Sequence, residues 1–274
     1  MKKLDPTDRI ASAKAFRELI DIMAQLRTPE TGCPWDVEQT FETIYPYTIE
    51  EAYEVADAIE RQSMPELKEE LGDLLFQVMF HSQIAAEAGH FTVEHVVQSI
   101  CEKMIRRHPH VFADGDNRTA AEQTIAWDAL KAKERAAKEG TESNLSALDG
   151  VALALPALQR ADKLQKRAGR VGFDWPSAGD VFEKLDEELD EVKQAIAEGD
   201  LQHLEEEIGD LLFVAANLAR KLSIDPEHAL RKGNAKFERR FKAMEDLAAQ
   251  RGQEFPSLDI NAQEALWQAV KKAE

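Results

Sequence analysis

The chain has 274 residues, 43% of them apolar, which is enough to bury the core of one or two globular domains. Its formal net charge of −18 argues against non-specific binding to nucleic acid or to membrane surfaces. No apolar run reaches the length of a transmembrane helix, and the start of the chain lacks the apolar stretch of a signal peptide. The two cysteines, Cys33 and Cys101, have no metal-ligand spacing and favour a reducing, cytoplasmic location.

Apolar residues recur at three- and four-residue intervals in four segments, and this periodicity predicts four long helices. The predicted helices span residues 43–62, 65–88, 181–198 and 201–222. Short turns join them in pairs, so each pair should form an antiparallel hairpin. Ser63 and Glu66 have the spacing of a capping box at the start of the second helix. Gly199 followed by Asp200 predicts a helix stop and then a helix cap.

Each predicted hairpin carries four carboxylates at the same spacing, and each second-half carboxylate lies 137 residues after its counterpart. The two sets are Glu51, Glu54, Glu70 and Asp73, and Glu188, Glu191, Glu207 and Asp210. Residues three apart share a helix face, so a hairpin brings all four into one small volume. Like charges that close take up protons or bind a cation, and oxygen-only ligands favour Mg²⁺ or Mn²⁺. We therefore predict a metal site in each half.

A solvated acidic surface is the competing interpretation of these carboxylates, because 31% of the chain is charged. The position of Asp73 and Asp210 inside apolar runs weakens it. The glycine before each aspartate, Gly72 and Gly209, is a poor helix former and is expected to allow close approach of another helix.

The repeat continues beyond the hairpins, because a third helix starts near Glu94 in the first half and near Glu227 in the second. The second-half helix carries Lys236, Arg239 and Arg240 on one face, which suits a substrate with several phosphates. Surface ion pairing is the commoner fate of such residues. Asn234 could bind a phosphate or ribose or lie in a turn, and Trp267 could stack on a base, although packing is the more frequent role of a lone tryptophan.

Strand-like alternation is scarce, so both halves are predicted to be all-α. The simplest architecture is a tandem duplication of helical bundles with four to five helices each. Residues 139–146 have the composition of a linker, and residues 113–117 form a shorter break. The predicted domains are therefore 1–140 and 146–274.

Several strings in this order resemble the two-domain form of the MazG family of nucleoside triphosphate pyrophosphohydrolases, of the all-α NTP pyrophosphatase superfamily. They include GCPWD at 32–36, ELGDLLFQ at 70–77, EIGDLLF at 207–213 and NAKFERR at 234–240. The resemblance covers nearly the whole chain. It implies Mg²⁺-dependent hydrolysis of nucleoside triphosphates to monophosphate and pyrophosphate, in a homodimer whose subunits both contribute to the site.

The resemblance also assigns the metal to the E-x-x-E…E-x-x-D motif, which maps onto Glu188, Glu191, Glu207 and Asp210. It maps equally onto Glu51, Glu54, Glu70 and Asp73. Lys184, one turn before Glu188, is placed to reach a phosphate, and Glu187 is a candidate to orient the attacking water. The first half has Tyr47 and Cys101 in place of Lys184 and Asn234. The second half is therefore the predicted main catalytic domain.

Other functions remain open at this stage. The acidic, duplicated chain is also consistent with a nucleotide- or metal-sensing protein that has no turnover. Within the superfamily, cleavage of dUTP or phosphoribosyl-ATP is an alternative. A ferritin-like di-iron bundle needs E-x-x-H on two helices, and the one such match, Glu87 to His90, has no partner.

Overall fold

A computed structural model of the chain describes residues 5–112, 119, 122, 123, 126, 127, 130, 134 and 146–274. The chain divides into two compact units, Met1–Gly140 and Thr141–Glu274. Every regular element in the described ranges is a helix, so the predicted all-α class is confirmed. No helix in those ranges combines the length and hydrophobicity that a membrane crossing requires. The predicted break at 113–117 and nearly all of the predicted linker at 139–146 lie outside the described residues.

Between residues 5 and 112 the first unit contains four long helices and two short ones. They are α1 (Pro6–Leu26), α2 (Pro34–Glu38), α3 (Phe41–Glu60), α4 (Met64–Glu87), α5 (Val93–Arg107) and α6 (Pro109–Phe112). Thr40 begins α3 with a capping box, in which its amide donates to Thr43 Oγ1 at 2.8 Å. The capping box predicted at Ser63 is wrong, since the Ser63 side chain makes no capping bond. Pro65 offers no amide hydrogen there, and the Glu66 side chain pairs with Arg61 instead.

The core of the first unit lies where α1 and α3 pack against α4. Met23, Ile44, Met79 and Phe80 are each at most 2% exposed. Arg27, at the end of α1, donates from Nη2 to Glu87 Oε2 of α4 at 2.7 Å, which ties the ends of the two helices together. This packing holds the α3–α4 hairpin that carries the first set of carboxylates.

The second unit, within residues 146–274, contains five α-helices and one 3₁₀ turn. They are α7 (Ala157–Arg170), α8 (Ala178–Glu198), α9 (Leu201–Lys221), α10 (Pro226–Gln250), the 3₁₀ turn Phe255–Ser257 and α11 (Ile260–Ala273). The predicted turn between α8 and α9 is confirmed. Gly199 has φ 76°, which only glycine adopts readily, and Asp200 Oδ1 accepts from the Gln202 and His203 amides at 3.0 and 3.3 Å.

The end of α9 is fixed to the loop that follows α7. Asp174 in that loop accepts a hydrogen bond from Arg220 Nη1 at 3.1 Å and forms an ion pair with Lys221 Nζ at 2.7 Å. Hydrogen bonding from Arg220, helped by Lys221, lowers the pKa of the Asp174 carboxyl to about 2. Asp174 therefore anchors the loop after α7 to the end of α9.

Candidate functional site

The α8–α9 hairpin brings three of the four predicted carboxylates of the second half together. Glu188, Glu207 and Asp210 each offer a carboxylate oxygen within 4.8 Å of the others. Glu188 is only 4% exposed, Glu207 is half-buried and Asp210 is exposed. The cluster therefore runs from the helix interface to an open surface, where a solute can reach it.

Glu191, the fourth predicted ligand, lies outside this trio but within its electrostatic field. Burial raises the pKa of the Glu191 carboxyl, and the charges of Glu188 and Glu207 raise it further. Lys184 acts in the opposite direction on the same group.

The α3–α4 hairpin of the first unit repeats the arrangement. Glu51, Glu70 and Asp73 offer carboxylate oxygens within 4.8 Å of one another. Glu54 lies outside the trio and shares a hydrogen bond with Glu51. Burial, followed by the charges of Asp73 and Glu54, raises the pKa of Glu51, and burial with the charges of Glu54 and Asp73 raises that of Glu70.

The residues of the second-half cluster fit a hard divalent cation. Oε2 of Glu188 is buried and has no hydrogen-bond partner among the described residues, so its charge is only partly compensated. All three donors are carboxylate oxygens, the ligand type that Mg²⁺ and Mn²⁺ prefer, while zinc and copper favour His or Cys.

Lys184 contacts the carboxylates rather than standing apart from them. Its Nζ lies 2.8 Å from Glu188 Oε1 and 3.1 Å from Glu187 Oε1. Hydrogen bonding to Glu188 raises the pKa of Lys184 above its usual value. The lysine is therefore charged beside the cluster, where it balances part of the negative charge.

His203 is a site residue that the sequence analysis missed. Its Nε2 lies 3.0 Å from Glu207 Oε1, and its Nδ1 lies 3.2 Å from Glu198 Oε2. Hydrogen bonding to Glu198 raises the pKa of His203, and the charge of Glu207 adds to the effect. The available signal was its position four residues before Glu207, on the same helix face. The comparison of the two halves did not reveal His203, because its first-half counterpart is Glu66.

Comparison with a protein-family model identifies the family of the chain. The model of the MazG nucleotide pyrophosphohydrolase domain matches residues 39–112 and 179–244, which contain both carboxylate hairpins. The chain belongs to the MazG family. The resemblance found in the sequence is thereby confirmed.

Relatives over nearly the whole length agree with the MazG assignment. The chain is 50% identical over 260 residues to the nucleoside triphosphate pyrophosphohydrolase of Escherichia coli (strain K12), covering 93% of this chain and 97% of that protein. It is 45% identical over 256 residues to the nucleoside triphosphate pyrophosphohydrolase/pyrophosphatase MazG of Thermotoga maritima, covering 93% and 95%. It is also 42% identical over 260 residues to the uncharacterized protein YabN of Bacillus subtilis (strain 168), covering 94% of this chain and 52% of that protein.

The basic residues of α10 in this MazG chain contact the end of α11. Arg239 and Arg240 pair with Glu274 at 3.1 and 2.6 Å, and the Arg240 guanidinium lies 5.4 Å from the centre of the Trp267 ring. In the described part of the chain, no hydrogen bond or ion pair joins them to the Glu188 cluster. Asn234 and Lys236 are exposed.

The first MazG unit contains the same arginine arrangement, but a tyrosine stands at the position of the lysine that contacts the carboxylates of the second unit. Arg106 and Arg107 pair with Glu134 at 2.9 and 2.6 Å. At the position of Lys184 stands Tyr47, whose ring lies 6.1 Å from that of Trp35. Cys101, the counterpart of Asn234, is exposed.

The glycines before the two aspartates do not mediate the close contact that the sequence predicted. A Cβ built on Gly72 or Gly209 meets no atom within 4 Å among the described residues. Both positions are exposed. The hairpins therefore pack without them, and each glycine leaves bare backbone beside a metal-ligand candidate.

Proposed function

We propose that the protein hydrolyses nucleoside triphosphates and deoxynucleoside triphosphates, including ATP, to the monophosphate and pyrophosphate at the α8–α9 cluster. The observation that carries this proposal is the convergence of Glu188, Glu207 and Asp210 within 4.8 Å on a MazG hairpin. Full-length relatives that are named nucleoside triphosphate pyrophosphohydrolases support the reaction type.

Glu188, Glu207 and Asp210 would hold Mg²⁺, or Mn²⁺ as a substitute, with Glu191 as the fourth carboxylate of the site. A bound cation of this kind neutralises phosphate charge and increases the acidity of a bound water. The corresponding carboxylates of the first unit, Glu51, Glu54, Glu70 and Asp73, would form a second metal site. Both assignments rest on the donor set and on the clustering of the oxygens.

The remaining charged residues would orient the reacting groups. Lys184 holds Glu188 in place and offers an ammonium group to a phosphate oxygen, where it stabilises negative charge that develops during cleavage. His203 fixes the orientation of Glu207 from the other side. Glu187 and Glu191 are the candidates to accept a proton from the attacking water.

The phosphates that lie farther from the cluster require further cations. In this proposal Lys236, Arg239 and Arg240 bind them, with Asn234 and Trp267 beside the substrate. Arg239 and Arg240 would exchange Glu274 for a phosphate group, since both now pair with that carboxylate. The Glu274 carboxylate can occupy the position of a phosphate group, because arginine binds carboxylate and phosphate in the same planar geometry.

A homodimer is the proposed assembly, because apolar side chains form exposed rows on both hairpins. Tyr45, Ile49 and Tyr53 lie four residues apart on α3, and all are at least 39% exposed. On α8 the exposed row recurs every seven residues, at Phe182, Leu189 and Ile196. Rows of this kind mark a surface that another protein covers. The molar mass in solution, measured by light scattering, tests this assembly.

Product analysis tests the reaction. With ATP and Mg²⁺, chromatography should detect AMP and pyrophosphate, and a chelator should abolish both. Glu188→Gln should remove the activity, while the exposed control Asp190→Asn on the same helix should keep it. ADP and phosphate as the main products would refute the proposal.

The free cysteines Cys33 and Cys101 are consistent with a cytoplasmic enzyme.

The first unit is also a candidate for a metal- or nucleotide-sensing role without turnover. It holds a carboxylate trio, but Tyr47 and Glu66 replace the lysine and the histidine of the second unit. Direct titration of the Glu188→Gln and Glu51→Gln variants with Mn²⁺ tests this role, since binding at the first unit should survive the first substitution and weaken with the second.

A further inference from the structure

Gln77 of α4 carries a buried polar group that the carboxylate pattern does not explain. The residue is 7% exposed, although glutamine is mostly found at protein surfaces. Its Oε1 is buried and has no hydrogen-bond partner among the described residues. A buried acceptor without a donor is unfavourable, and in native proteins a bound ion or an ordered water usually accounts for it. This oxygen therefore indicates a ligand inside the α3–α4 hairpin.

The position of Gln77 on α4 directs its amide to the first-unit carboxylates. Gln77 lies one helical turn after Asp73 on the same helix face, roughly 6 Å farther along the axis. Long side chains in a helix point back toward its N-terminus, so the amide is aimed at the turn that carries Asp73. Asp73 in turn offers an oxygen within 4.8 Å of oxygens of Glu51 and Glu70.

Two further polar side chains of the α3–α4 interface are paired with each other. His81 follows Gln77 by one turn, and its Nε2 lies 2.9 Å from Thr48 Oγ1 of α3. Gln77 thus lies between this pair and the carboxylates. Ionised carboxylates have no hydrogen to donate, so they cannot satisfy an amide oxygen that faces them. A cation can satisfy both kinds of oxygen at once.

The second unit has no polar group at the position of Gln77. Its counterpart is Val214, an apolar residue that is 4% exposed. Leucines stand at the positions of Thr48 and His81. The buried amide is therefore a property of the first unit and not of the repeated hairpin.

The two carboxylate clusters also differ in charge. Lys184 compensates part of the charge of Glu188 in the second unit, whereas the first unit has Tyr47 at the position of the lysine. The affinity of an oxygen site for a divalent cation depends on the number and charge of its ligands. By both criteria the first cluster should hold a free cation more tightly than the second.

We propose that Gln77 Oε1 is a ligand of a divalent cation in the first unit, together with Glu51, Glu70 and Asp73. The assignment rests on the first-unit metal site proposed above. A neutral carbonyl oxygen adds a ligand without adding to the repulsion among the carboxylates, and glutamine carbonyls are found in protein sites for hard cations. The first unit therefore holds its cation without a nucleotide, whereas the second leaves more of the coordination sphere to substrate phosphates.

Titration of the full chain with Mn²⁺ tests the assignment, with free Mn²⁺ measured by electron paramagnetic resonance and no nucleotide present. Every variant also carries Glu188→Gln and Asp210→Asn, which leave one carboxylate in the second trio, so that binding reports on the first unit. Gln77→Leu removes the amide oxygen, and Gln77→Glu keeps an oxygen and adds a charge. Gln83→Leu is the matched control, because that amide on the same helix donates to Glu87 Oε1 at 3.0 Å.

The background protein and the Gln83→Leu variant should bind one Mn²⁺ with equal affinity. Gln77→Leu should bind it roughly tenfold more weakly, and Gln77→Glu at least as tightly as the background. The apolar Val214 at the matching position shows that the hairpin accommodates such a side chain, and far-UV circular dichroism in chelator checks the helicity of each variant.

Three results would overturn the assignment, and they have different meanings. If Gln77→Glu weakens binding as much as Gln77→Leu does, the amide donates to a carboxylate and is not a ligand. If Gln77→Leu binds like the control while Glu51→Gln binds more weakly, the first-unit metal site stands without Gln77. If the background protein binds no Mn²⁺, the first-unit metal site itself fails, and the role of Gln77 fails with it.

Discussion

Lys184 Nζ lies 2.8 Å from Oε1 of Glu188, the most deeply buried carboxylate of the second cluster. The lysine thus compensates one oxygen of the very group that is expected to bind metal, while the other oxygen is buried without a partner. A buried carboxylate that loses its only cation is strongly destabilising. The ion pair and the proposed metal therefore act on the same charge.

Lys184→Met should lower the free energy of unfolding by about 2 kcal/mol without metal, less than for a fully buried pair because Lys184 is 28% exposed. In saturating Mg²⁺ the loss should be smaller, since the metal then neutralises Glu188. Urea titrations with chelator and with Mg²⁺ measure both values. Lys193→Met is the matched control, because Lys193 pairs with Asp190 on the exposed face of the same helix. An equal loss in both buffers would contradict the shared-charge interpretation.

The stability of the metal-free protein should depend on pH through the clustered carboxylates. Glu51, Glu70 and Glu191 have raised pKa values, so folding favours their protonated forms. Their contribution to stability is therefore fully present below the unfolded value of about 4.5 and is lost as pH rises through the folded pKa values.

The measurement is the melting temperature between about pH 4 and pH 8, in chelator and in Mg²⁺. The gap between the two curves should widen as pH rises, because Mg²⁺ needs the ionised carboxylates. The Asp174 carboxyl, whose pKa is lowered to about 2, acts below this range and affects both curves alike. Parallel curves would contradict the prediction, because the stabilisation by Mg²⁺ would then not depend on the ionisation of these carboxylates.

The two halves should respond differently to the same change. Glu191→Gln or Asp210→Asn should lower ATP hydrolysis by roughly 100-fold, which corresponds to about 2.7 kcal/mol in the barrier. Glu54→Gln and Asp73→Asn, the matched changes in the first half, should leave most activity intact, because that cluster lacks the counterparts of Lys184 and His203. Wild-type helicity and melting must be shown for each variant. An equally inactive, folded Glu54→Gln would mean that the halves are coupled or that the first half is the active one.

Arg240 should affect substrate binding beyond its role in holding α11. Arg240→Ala and Glu274→Ala both break the same ion pair, so the structural effect of losing that pair is common to both variants. If Arg240 binds phosphate, only Arg240→Ala should raise KM for ATP, by roughly tenfold, and Arg240→Lys should restore it in part. Equal KM values for the two alanine variants would restrict Arg240 to the surface ion pair.

The sequence predicted the hairpins well because their information is local. Apolar periodicity and the Gly199–Asp200 turn chemistry placed α8 and α9 within three residues of their observed bounds. The equal spacing of the carboxylates about each turn then indicated which residues meet. The trios of both hairpins follow from that symmetry, although the fourth carboxylate of each set, Glu54 and Glu191, lies outside the trio.

Contacts made across long sequence separations were not predictable in the same way. The pairing of Arg240 with Glu274 joins two helices, and nothing in the spacing of basic residues identifies the partner. His203 was missed for a different reason, since the comparison of halves directs attention to shared residues and its counterpart is Glu66. The role proposed for Gln77 depends on its unpaired amide oxygen, whereas periodicity assigns this residue only to a buried helix face.

Because Gly209 has no side chain, it lowers the stability of α9 but leaves the backbone beside Asp210 uncovered. Alanine at an exposed helical position stabilises a helix by about 1 kcal/mol relative to glycine, and no neighbour in the described residues would oppose the added methyl group. That methyl would stand next to Asp210 on an exposed part of the hairpin, which is open to a substrate or a second subunit. A Gly209→Ala enzyme should therefore melt at a higher temperature and turn over more slowly, and one that gains heat resistance at full speed would show that nothing passes close to this backbone.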